Sequence, residues 1–277
     1  MGSQYRQRAP PEFIIISGAS ELSVADNQTS VRYLIKKGAT NLSDADVRVL
    51  AARGWLSVVP EDLRSRVIDA CKNRTIRKQD ILWHLGDDVD GLYLIRSGCL
   101  RAETSECQRG PSMLTIFHQG SWIGEAEILG GTGRITTMSA LRDSSLLFLP
   151  RSDLMALSKQ FPEVWRGLGY LASEHLYLAV AGVYDLMIRS SRARLAAVLL
   201  RICGARVPAF PGIIATDLDV TQSELGRLCN LSRSVVATVL ADFEKHGVIE
   251  TGYGRVGILD LAGLAKVAGM HIAASSD

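Results

Sequence analysis

Residues 220–248, VTQSELGRLCNLSRSVVATVLADFEKHGV, carry the strongest structural signal in the chain. Thr221 followed in the sequence by Glu224 matches a capping box, which predicts a helix that begins at Gln222. Asn230 tolerates the left-handed backbone conformation of a tight turn, and Ser232 can cap a second helix after it. The stretch therefore predicts two short helices joined by a tight turn, although an ordinary helical hairpin shares this pattern.

The second of these helices has an apolar side and a polar side. The predicted apolar stripe consists of Val235, Val236, Leu240 and Phe243. The polar side, close to the N-terminal end, carries Arg233, Ser234, Ala237 and Thr238. Residues at this end meet base edges when a helix enters the major groove of DNA. The following segment alternates strand and turn signals around residues 252–254, which predicts a hairpin of the kind called a wing.

The composition is that of a chain with room for two domains. Its 277 residues carry a net charge of +2, so positive charge for binding nucleic acid must be arranged locally. The five cysteines are scattered and form no C-x-x-C pair, which favours reduced thiols over a disulfide framework. No apolar run reaches the length of a membrane helix, and no signal peptide is evident. We expect a cytoplasmic protein that does not associate with a membrane.

The N-terminal half predicts a domain of mixed helix and strand, and the whole chain predicts an α+β fold. Residues 1–42 are polar and irregular, and we expect a loose arm there. Residues 43–161 form the first domain, which begins with helices at 44–53, capped by Ser43, and at 60–72. From Thr75 to Pro150, short apolar runs alternate with glycine turns. This alternation predicts an antiparallel β-roll (double-stranded β-helix) with flanking helices.

A long helix is predicted over residues 162–189, starting at Pro162. Its apolar residues cover more than one face, so the helix needs a second surface besides its own domain. Another copy of the chain is the simplest such surface, and a helix buried wholly within its own chain is the alternative. Residues 190–277 form the last region, with a helix at 192–203, the two-helix unit, the hairpin and a short helix at 262–268.

Three motifs in this order resemble the Crp/Fnr family of bacterial transcription regulators over about residues 50–265. They are LGD…LYLIRSG at 85–98, HQGSWIGEAEILGGTGRITTMSAL at 118–141 and VTQSELGRLCNLSR at 220–233. The resemblance implies a roll that senses an effector, a dimerisation helix and a winged helix-turn-helix domain. It also implies a homodimer on a pseudo-palindromic site in double-stranded DNA, with half-sites about 34 Å apart. RNA polymerase is an implied partner if the protein is an activator.

The second motif is similar to the family's phosphate-binding cassette, which implies an effector site. In such a site Gly124 lets the backbone approach the ligand, Glu125 accepts from a ribose hydroxyl and Arg134 faces the phosphate. Thr136 and Thr137 complete the implied effector-binding set. An internal ion pair between Glu125 and Arg134, kept by the fold, is the alternative.

The cassette also departs from the pattern of cyclic-AMP binders. Ile135 replaces a usual serine, and the loop before Arg134 is one residue shorter. Ala179 and Val180 occupy the positions of a Thr-Ser pair that such receptors use against the adenine. Because an unpaired buried polar group costs about 1–3 kcal/mol, these departures argue against cyclic AMP. A cyclic nucleotide of another kind remains the effector that the resemblance implies, and an active protein without any ligand is also open.

The third motif assigns DNA-binding roles by the same resemblance. Arg233 matches the family's base-reading arginine, which bonds bidentately to guanine. Ser234 and Thr238 replace a glutamate and an arginine of the family, so we expect a different half-site. The candidate phosphate contacts are Thr221, Ser223, Ser232 and Arg255, for which a helix cap or a solvated side chain is the alternative.

No catalytic residue and no metal site is predicted. An iron–sulfur sensor needs an N-terminal cysteine cluster, and the first cysteine is Cys71. His84, His118 and His175 could ligate haem, but lone histidines are more often surface or core residues. Cys229 is either a redox-sensitive thiol or, more in keeping with free cysteines, a small buried side chain. Two other function classes remain as alternatives: a nucleotide-sensing module that acts on a protein partner, and a cupin-like metal enzyme, for which clustered histidines are lacking.

Overall fold

The computed structural model describes residues 54–104, 112–206 and 214–270. The predicted arm at 1–42, the helix at 44–53 with its cap Ser43, and Cys107 lie outside the described residues. Within the described ranges the chain forms a β-roll, a long helix and a helix-turn-helix domain with a hairpin. The predicted α+β class and the predicted order of units are confirmed.

The roll consists of two antiparallel four-stranded sheets that face each other. Their orders are β1-β8-β3-β6 and β2-β7-β4-β5. The strands are β1 Lys72–Ile76, β2 Ile81–Trp83, β3 Gly91–Ser97, β4 Cys99–Thr104, β5 Ser112–His118, β6 Trp122–Ile123, β7 Thr137–Ala140 and β8 Ser144–Pro150. Buried residues such as Tyr93, Leu100, Met138 and Phe148 fill the space between the sheets. This apolar filling holds the roll together.

Short helices surround the roll and connect it to the rest of the chain. They are a 3₁₀ helix at Gly54–Val58, α1 at Glu61–Ala70, α2 at Glu125–Gly130 and α3 at Arg151–Gln160. The predicted helix at 60–72 is therefore confirmed, with Leu63 and Val67 buried. Trp55 of the 3₁₀ helix packs edge-on against Trp122, with ring centroids 5.6 Å apart.

The predicted long helix is present as α4, which spans Glu163–Met187, with Pro162, its predicted start, at the N-cap. Its first half packs within its own chain, where Val164, Leu168 and Leu171 are buried in one core with the tryptophans. Its second half carries a row of exposed apolar residues, Leu176, Val180, Val183 and Met187, with exposures between 61% and 73%. The spacing of this row is that of a coiled-coil seam, so its burial requires a second helix.

The C-terminal domain is assembled from short elements around a shared core. They are α5 Ser191–Ile202, β9 Asp217–Leu218, α6 Gln222–Cys229, α7 Arg233–Lys245, β10 Ile249–Gly252, β11 Arg255–Ile258 and α8 Leu261–Ala268. The hairpin of β10 and β11 is the predicted wing, and β9 extends it to a three-stranded sheet. Apolar residues of the roll, including Met113, Ile116 and Leu141, belong to the same core as this domain. The two domains are therefore in direct apolar contact.

The local signals of the two-helix unit are confirmed bond by bond. Thr221 Oγ1 accepts from the Glu224 amide at 3.2 Å, and Glu224 Oε2 accepts from the Thr221 amide at 2.6 Å. Asn230 has φ of 51° in the left-handed region, as the turn requires. The prediction for one residue of the stripe is wrong, because Val235 is 37% exposed while the other three side chains are buried.

In the described ranges, the structure contains no helix that is both long and apolar enough to span a lipid bilayer.

Candidate functional site

Four of the predicted DNA-contacting residues line one groove of about 500 Å³ in the C-terminal domain. Arg233 is the first residue of α7, Thr221 is the N-cap of α6, Ser223 lies in the first turn of α6 and Arg255 begins β11. The turn at Asn230 and the wing hairpin bring these separate segments together. The groove thus combines the N-terminal ends of two helices, where the helix dipole favours anions, with two arginines.

Arg233 is exposed and, within the described part of the chain, forms no salt bridge. A free guanidinium fork of this kind is available for bidentate hydrogen bonds to a base or a phosphate.

The remaining predicted residues on α7 are exposed but do not line the groove. Ser232 Oγ accepts from the Val235 amide at 3.3 Å and lies 3.0 Å from Ser234 Oγ. Thr238 Oγ1 donates to the Ser234 carbonyl at 3.0 Å. Ser232 therefore caps α7, which is the alternative to a phosphate contact that the sequence offered. Its hydroxyl can still donate to a phosphate.

Arg255 is held by carboxylates of its own domain. Its Nε pairs with Asp217, and its Nη2 lies 3.9 Å from Glu250 Oε1. The hydrogen bond to Asp217 is the main reason that the pKa of Arg255 is raised above its ordinary value. A phosphate contact by Arg255 must compete with these two acids.

The roll contributes two basic residues to the same groove that the sequence analysis did not identify, Lys78 and Arg142. Arg142 Nη2 donates to the Gly254 carbonyl of the wing at 3.4 Å, and its Nη1 lies 3.8 Å from Glu224 Oε1. No signal in the sequence marks either residue, because their position depends on how the roll packs against the C-terminal domain.

In the cassette, Arg134 is turned into the protein and is only 1% exposed. Its Nη2 donates to Asp90 Oδ1 at 2.9 Å and to the Gly91 carbonyl at 3.0 Å. Its Nη1 donates to the Gly124 carbonyl and to Glu127 Oε2, both at 3.4 Å. Only its Nε lacks an acceptor among the described residues, and that atom is also buried.

Gly124 has a role that follows from the position of this guanidinium. Its φ is +103°, and a Cβ at this position would lie 2.7 Å from Arg134 Nη1. Gly124 was predicted to let a ligand come close to the backbone. In this structure the group that comes close to it is the Arg134 side chain.

The predicted alternative of an ion pair between Glu125 and Arg134 is wrong, because each residue has another partner. Glu125 Oε1 lies 2.7 Å from His175 Nδ1 on α4, and both Glu125 and Glu127 are buried. Burial lowers the pKa of His175, but the carboxylates of Glu125, Glu174 and Glu127 together raise it more, and the net direction is upward. This contact links the cassette to the long helix.

The two predicted threonines of the cassette serve the roll through hydrogen bonds. Thr137 Oγ1 accepts from the Leu85 amide at 3.1 Å, and the Thr136 carbonyl accepts from Trp83 Nε1 at 3.0 Å. Trp83 in turn lies under the Arg134 guanidinium, 4.0 Å from the ring centroid.

A cavity of about 660 Å³ lies between the roll, α4 and α6. Gly124, Glu125 and Thr136 of the predicted set line it, whereas Arg134 and Thr137 are not part of its lining. Ile135 lines it as well and is 56% exposed. Cavities of this size bind drug-sized molecules.

Charged contacts that the sequence analysis missed join the domains around this cavity. Arg227 of α6 donates from Nη2 to Glu103 Oε1 of the roll at 2.5 Å. Asp185, fully buried near the end of α4, accepts from Arg201 Nε at 2.8 Å and also pairs with Arg206. A lone acid on the apolar side of a long helix is the one sequence signal that could have indicated the second contact.

The four cysteines in the described ranges are poor candidates for redox sensing. Burial raises the pKa of each thiol to about 12, including that of Cys229, so the reactive thiolate is scarce. Among the described residues no group of three or more His, Cys, Asp or Glu side chains is placed to hold a metal ion.

Comparisons with known proteins find relatives for both the roll and the C-terminal domain. A family model described as "Cyclic nucleotide-binding domain" matches residues 73–161, and one described as "Crp-like helix-turn-helix domain" matches residues 193–267. The chain is 28% identical over 188 residues to the "Cyclic AMP receptor protein" of Thermus thermophilus, covering 68% of this chain and 83% of that protein. It is also 28% identical over 205 residues to "Transcriptional activator protein FnrA" of Stutzerimonas stutzeri, covering 72% and 81% respectively.

The solved structures show the same relationship. A transcriptional regulator of the Crp/Fnr family from Thermus thermophilus superimposes with a TM-score of 0.53 at 26% identity, covering 72% of this chain and 98% of that one. The similarity extends over both the roll and the helix-turn-helix domain.

Proposed function

The chain belongs to the Crp/Fnr family of transcription regulators, and on this premise we propose that its dimer reads DNA with the Arg233 end of α7. The single observation that supports this assignment is the groove in which Arg233 meets Thr221, Ser223 and Arg255. Arg233 then reads a guanine, with Ser234 and Thr238 beside it on the same helix end. Thr221, Ser223, Ser232 and Arg255 contact phosphates and set the register.

The proposed dimer forms through the exposed seam of α4. Burying Leu176, Val180, Val183 and Met187 against the same row of a second copy removes apolar surface from water and aligns the two domains around a twofold axis. Two α7 helices related in this way read half-sites about 34 Å apart on a pseudo-palindrome.

The proposed biological role is control of transcription in the cytoplasm, without catalysis by the protein itself. RNA polymerase is the partner if the protein activates. The proposed effector-binding residues are those of the predicted set that line the cavity, Gly124, Glu125 and Thr136, while Arg134 and Thr137 support its wall.

The cyclic nucleotide that the family implies does not fit the residues present. The phosphate-binding arginine of the cassette is buried between Asp90 and Glu127, and the glutamate for the ribose faces His175. The adenine-facing positions of the long helix are Ala179 and Val180, which offer no hydrogen bond.

The experiment that tests DNA reading compares two charge-removing variants of α7. A preferred site is first selected from sheared genomic DNA, and affinity is measured by fluorescence anisotropy. We expect Arg233→Ala to weaken binding to that site about 5–150-fold, the equivalent of about 1–3 kcal/mol, and to relax preference at one base pair. Lys245→Ala, at the other end of α7, is the control and should leave base preference unchanged. If the Arg233→Ala variant binds every DNA sequence with the same affinity as the parent protein, Arg233 does not read bases.

The same measurement addresses the alternative in which the sensor acts on a protein partner. A chain with that function would show no salt-sensitive binding to any duplex.

A further inference from the structure

We propose that the cavity between the roll, α4 and α6 is the effector site and that it takes a neutral, largely apolar small molecule. This inference rests on the proposed function of the roll as a sensor and names the class of molecule that it senses. The residues of the cassette do not fit the cyclic nucleotide that the family implies, and the lining of the cavity indicates which class of ligand takes its place.

The charges around the cassette disfavour a phosphate. Both terminal nitrogens of Arg134 donate to Asp90, Glu127 and two backbone carbonyls within 3.4 Å. The one remaining N–H, on Nε, is buried. A phosphate must therefore displace carboxylates from a buried guanidinium or lie next to them, and either position is electrostatically unfavourable.

The other polar groups of the cassette also have partners. Glu127 Oε1 accepts from the Ile135 amide at 3.2 Å, in addition to the contact of its Oε2 with Arg134. Glu125 Oε1 is taken by His175 at 2.7 Å. A ligand that relies on hydrogen bonds to these carboxylates must break contacts that hold α2 in place, whereas an apolar ligand leaves them intact.

The remaining wall of the cavity is largely apolar, and its three basic side chains, His175, Arg201 and Arg227, are each paired with an acid, namely Glu125, Asp185 and Glu103. Ile123 and Met138 contribute from the roll, Leu178, Ala179 and Val183 from α4, and Leu228 from α6. Apolar pockets with a few polar groups at one end bind ligands mainly through burial of apolar surface. The chemistry of the wall and the charges of the cassette thus lead to the same class of ligand.

The cavity also explains how binding reaches the DNA-binding domain. Arg227, Leu228 and Asn230 belong to α6 and to the turn before α7, and all three line the cavity. A ligand there contacts the roll, the long helix and the helix-turn-helix unit at once. Its binding energy therefore depends on the position of α6 against the roll, which is the requirement for control of DNA binding.

The test uses the whole 277-residue chain and the neutral fluorescent probe N-phenyl-1-naphthylamine, excited where tryptophan does not absorb. We expect saturable binding of one probe per protomer. Ala126→Trp on α2 and Ala179→Trp on α4 each place an indole in the cavity from a different wall, and each should weaken probe binding about tenfold or more. Leu129→Trp, exposed on α2 and outside the cavity lining, is the matched control and should change binding by no more than about twofold.

Calorimetry with cyclic AMP, cyclic GMP and cyclic di-GMP completes the test, and we expect no saturable heat from any of them. The proposal is overturned if one of these nucleotides binds saturably, or if the probe does not bind. It is also overturned if the probe binds all three tryptophan variants as it binds the parent, because the probe then sits elsewhere, for example on the α4 seam. DNA binding that depends on Arg233, measured in parallel, would show that only the effector inference has failed.

Discussion

Asp185 provides a test of how firmly the sensor and the DNA-binding domain are joined. It is completely buried near the end of α4 and faces Arg201, whose side chain is 3% exposed, and Arg206, whose side chain is 13% exposed. Arg201 Nη1 also reaches Thr115 Oγ1 on β5 at 3.4 Å, so one carboxylate organises contacts to α5, the segment after it and the roll. Asp185→Asn keeps the shape but leaves two guanidinium groups facing a neutral amide.

Removing one partner of a buried ion pair typically costs about 3–5 kcal/mol, because the remaining charge stays desolvated. At about 2–4 °C per kcal/mol for a unit of this size, the midpoint of thermal unfolding should fall by about 6–20 °C. The measurement is urea and thermal unfolding followed by circular dichroism on the parent and the variant. The transition midpoints are compared directly, because a chain of two domains need not unfold in one step.

The control is Asp62→Asn on α1, which removes the same charge from an exposed pair with Arg66 at 3.4 Å. Exposed pairs of this kind contribute little, and the change should stay within about 0.5 kcal/mol. If Asp185→Asn destabilised the protein by less than about 1 kcal/mol, the two arginines would have found other partners or water, and the reasoning from burial would be refuted.

Three further predictions concern the dimer, the thiols and the pH dependence. Val180→Glu places a charge in the exposed seam of α4 and should convert the dimer to monomers in light scattering, whereas a persistent dimer would place the interface elsewhere. Burial raises the pKa of Cys229 to about 12, so iodoacetamide at neutral pH should label this thiol only after the protein is unfolded in urea. Peptide mapping measures the labelling, and rapid labelling of the native chain would contradict the burial of Cys229. Burial lowers the pKa of His175, but Glu125 and the acids near it raise the pKa above its ordinary 6.5. Their interaction with His175 should therefore stabilise the fold at and below that pH and lose its effect as pH rises through the raised pKa. His175→Gln should lack this part of the pH dependence of unfolding, and matching profiles for the two proteins would refute the reasoning.

The parts of the structure that the sequence predicts are those whose interactions are local. The capping box at Thr221, the turn at Asn230 and the cap at Ser232 each depend on bonds between residues a few positions apart. The alternation of apolar runs and glycine turns likewise reports on strands whose neighbours follow soon in the chain. Such features can be deduced from spacing, because spacing fixes which atoms meet.

The wrong assignment of Val235 shows the limit of that reasoning. Val235 and Val236 are adjacent valines near one edge of the apolar stripe, and only Val236 is buried. Which of the two faces the core depends on the helices packed against α7, and periodicity alone does not contain that information.

The partners of charged residues were harder to predict for a related reason. Arg134 is far in sequence from Asp90, and Arg227 is farther still from Glu103, yet each pair is in direct contact. A motif identifies the residue type at a position and leaves open which of several acids it meets after folding. In the cassette, the surrounding acids Asp90 and Glu127 give Arg134 an internal role.

The position of α6 connects these observations into one constraint on regulation. The helix and its N-cap supply Ser223 and Thr221 to the groove that contains Arg233, and the helix also supplies Arg227 to the contact with the roll and Leu228 to the cavity wall. A ligand that binds only while α6 lies against the roll stabilises that arrangement by about 2.7 kcal/mol at a hundredfold excess over its dissociation constant. Geometry then decides whether the ligand raises or lowers the affinity for DNA. If the two grooves of a dimer match the half-site spacing in this arrangement, the ligand strengthens DNA binding. If α6 must leave the roll before DNA can bind, the ligand weakens it.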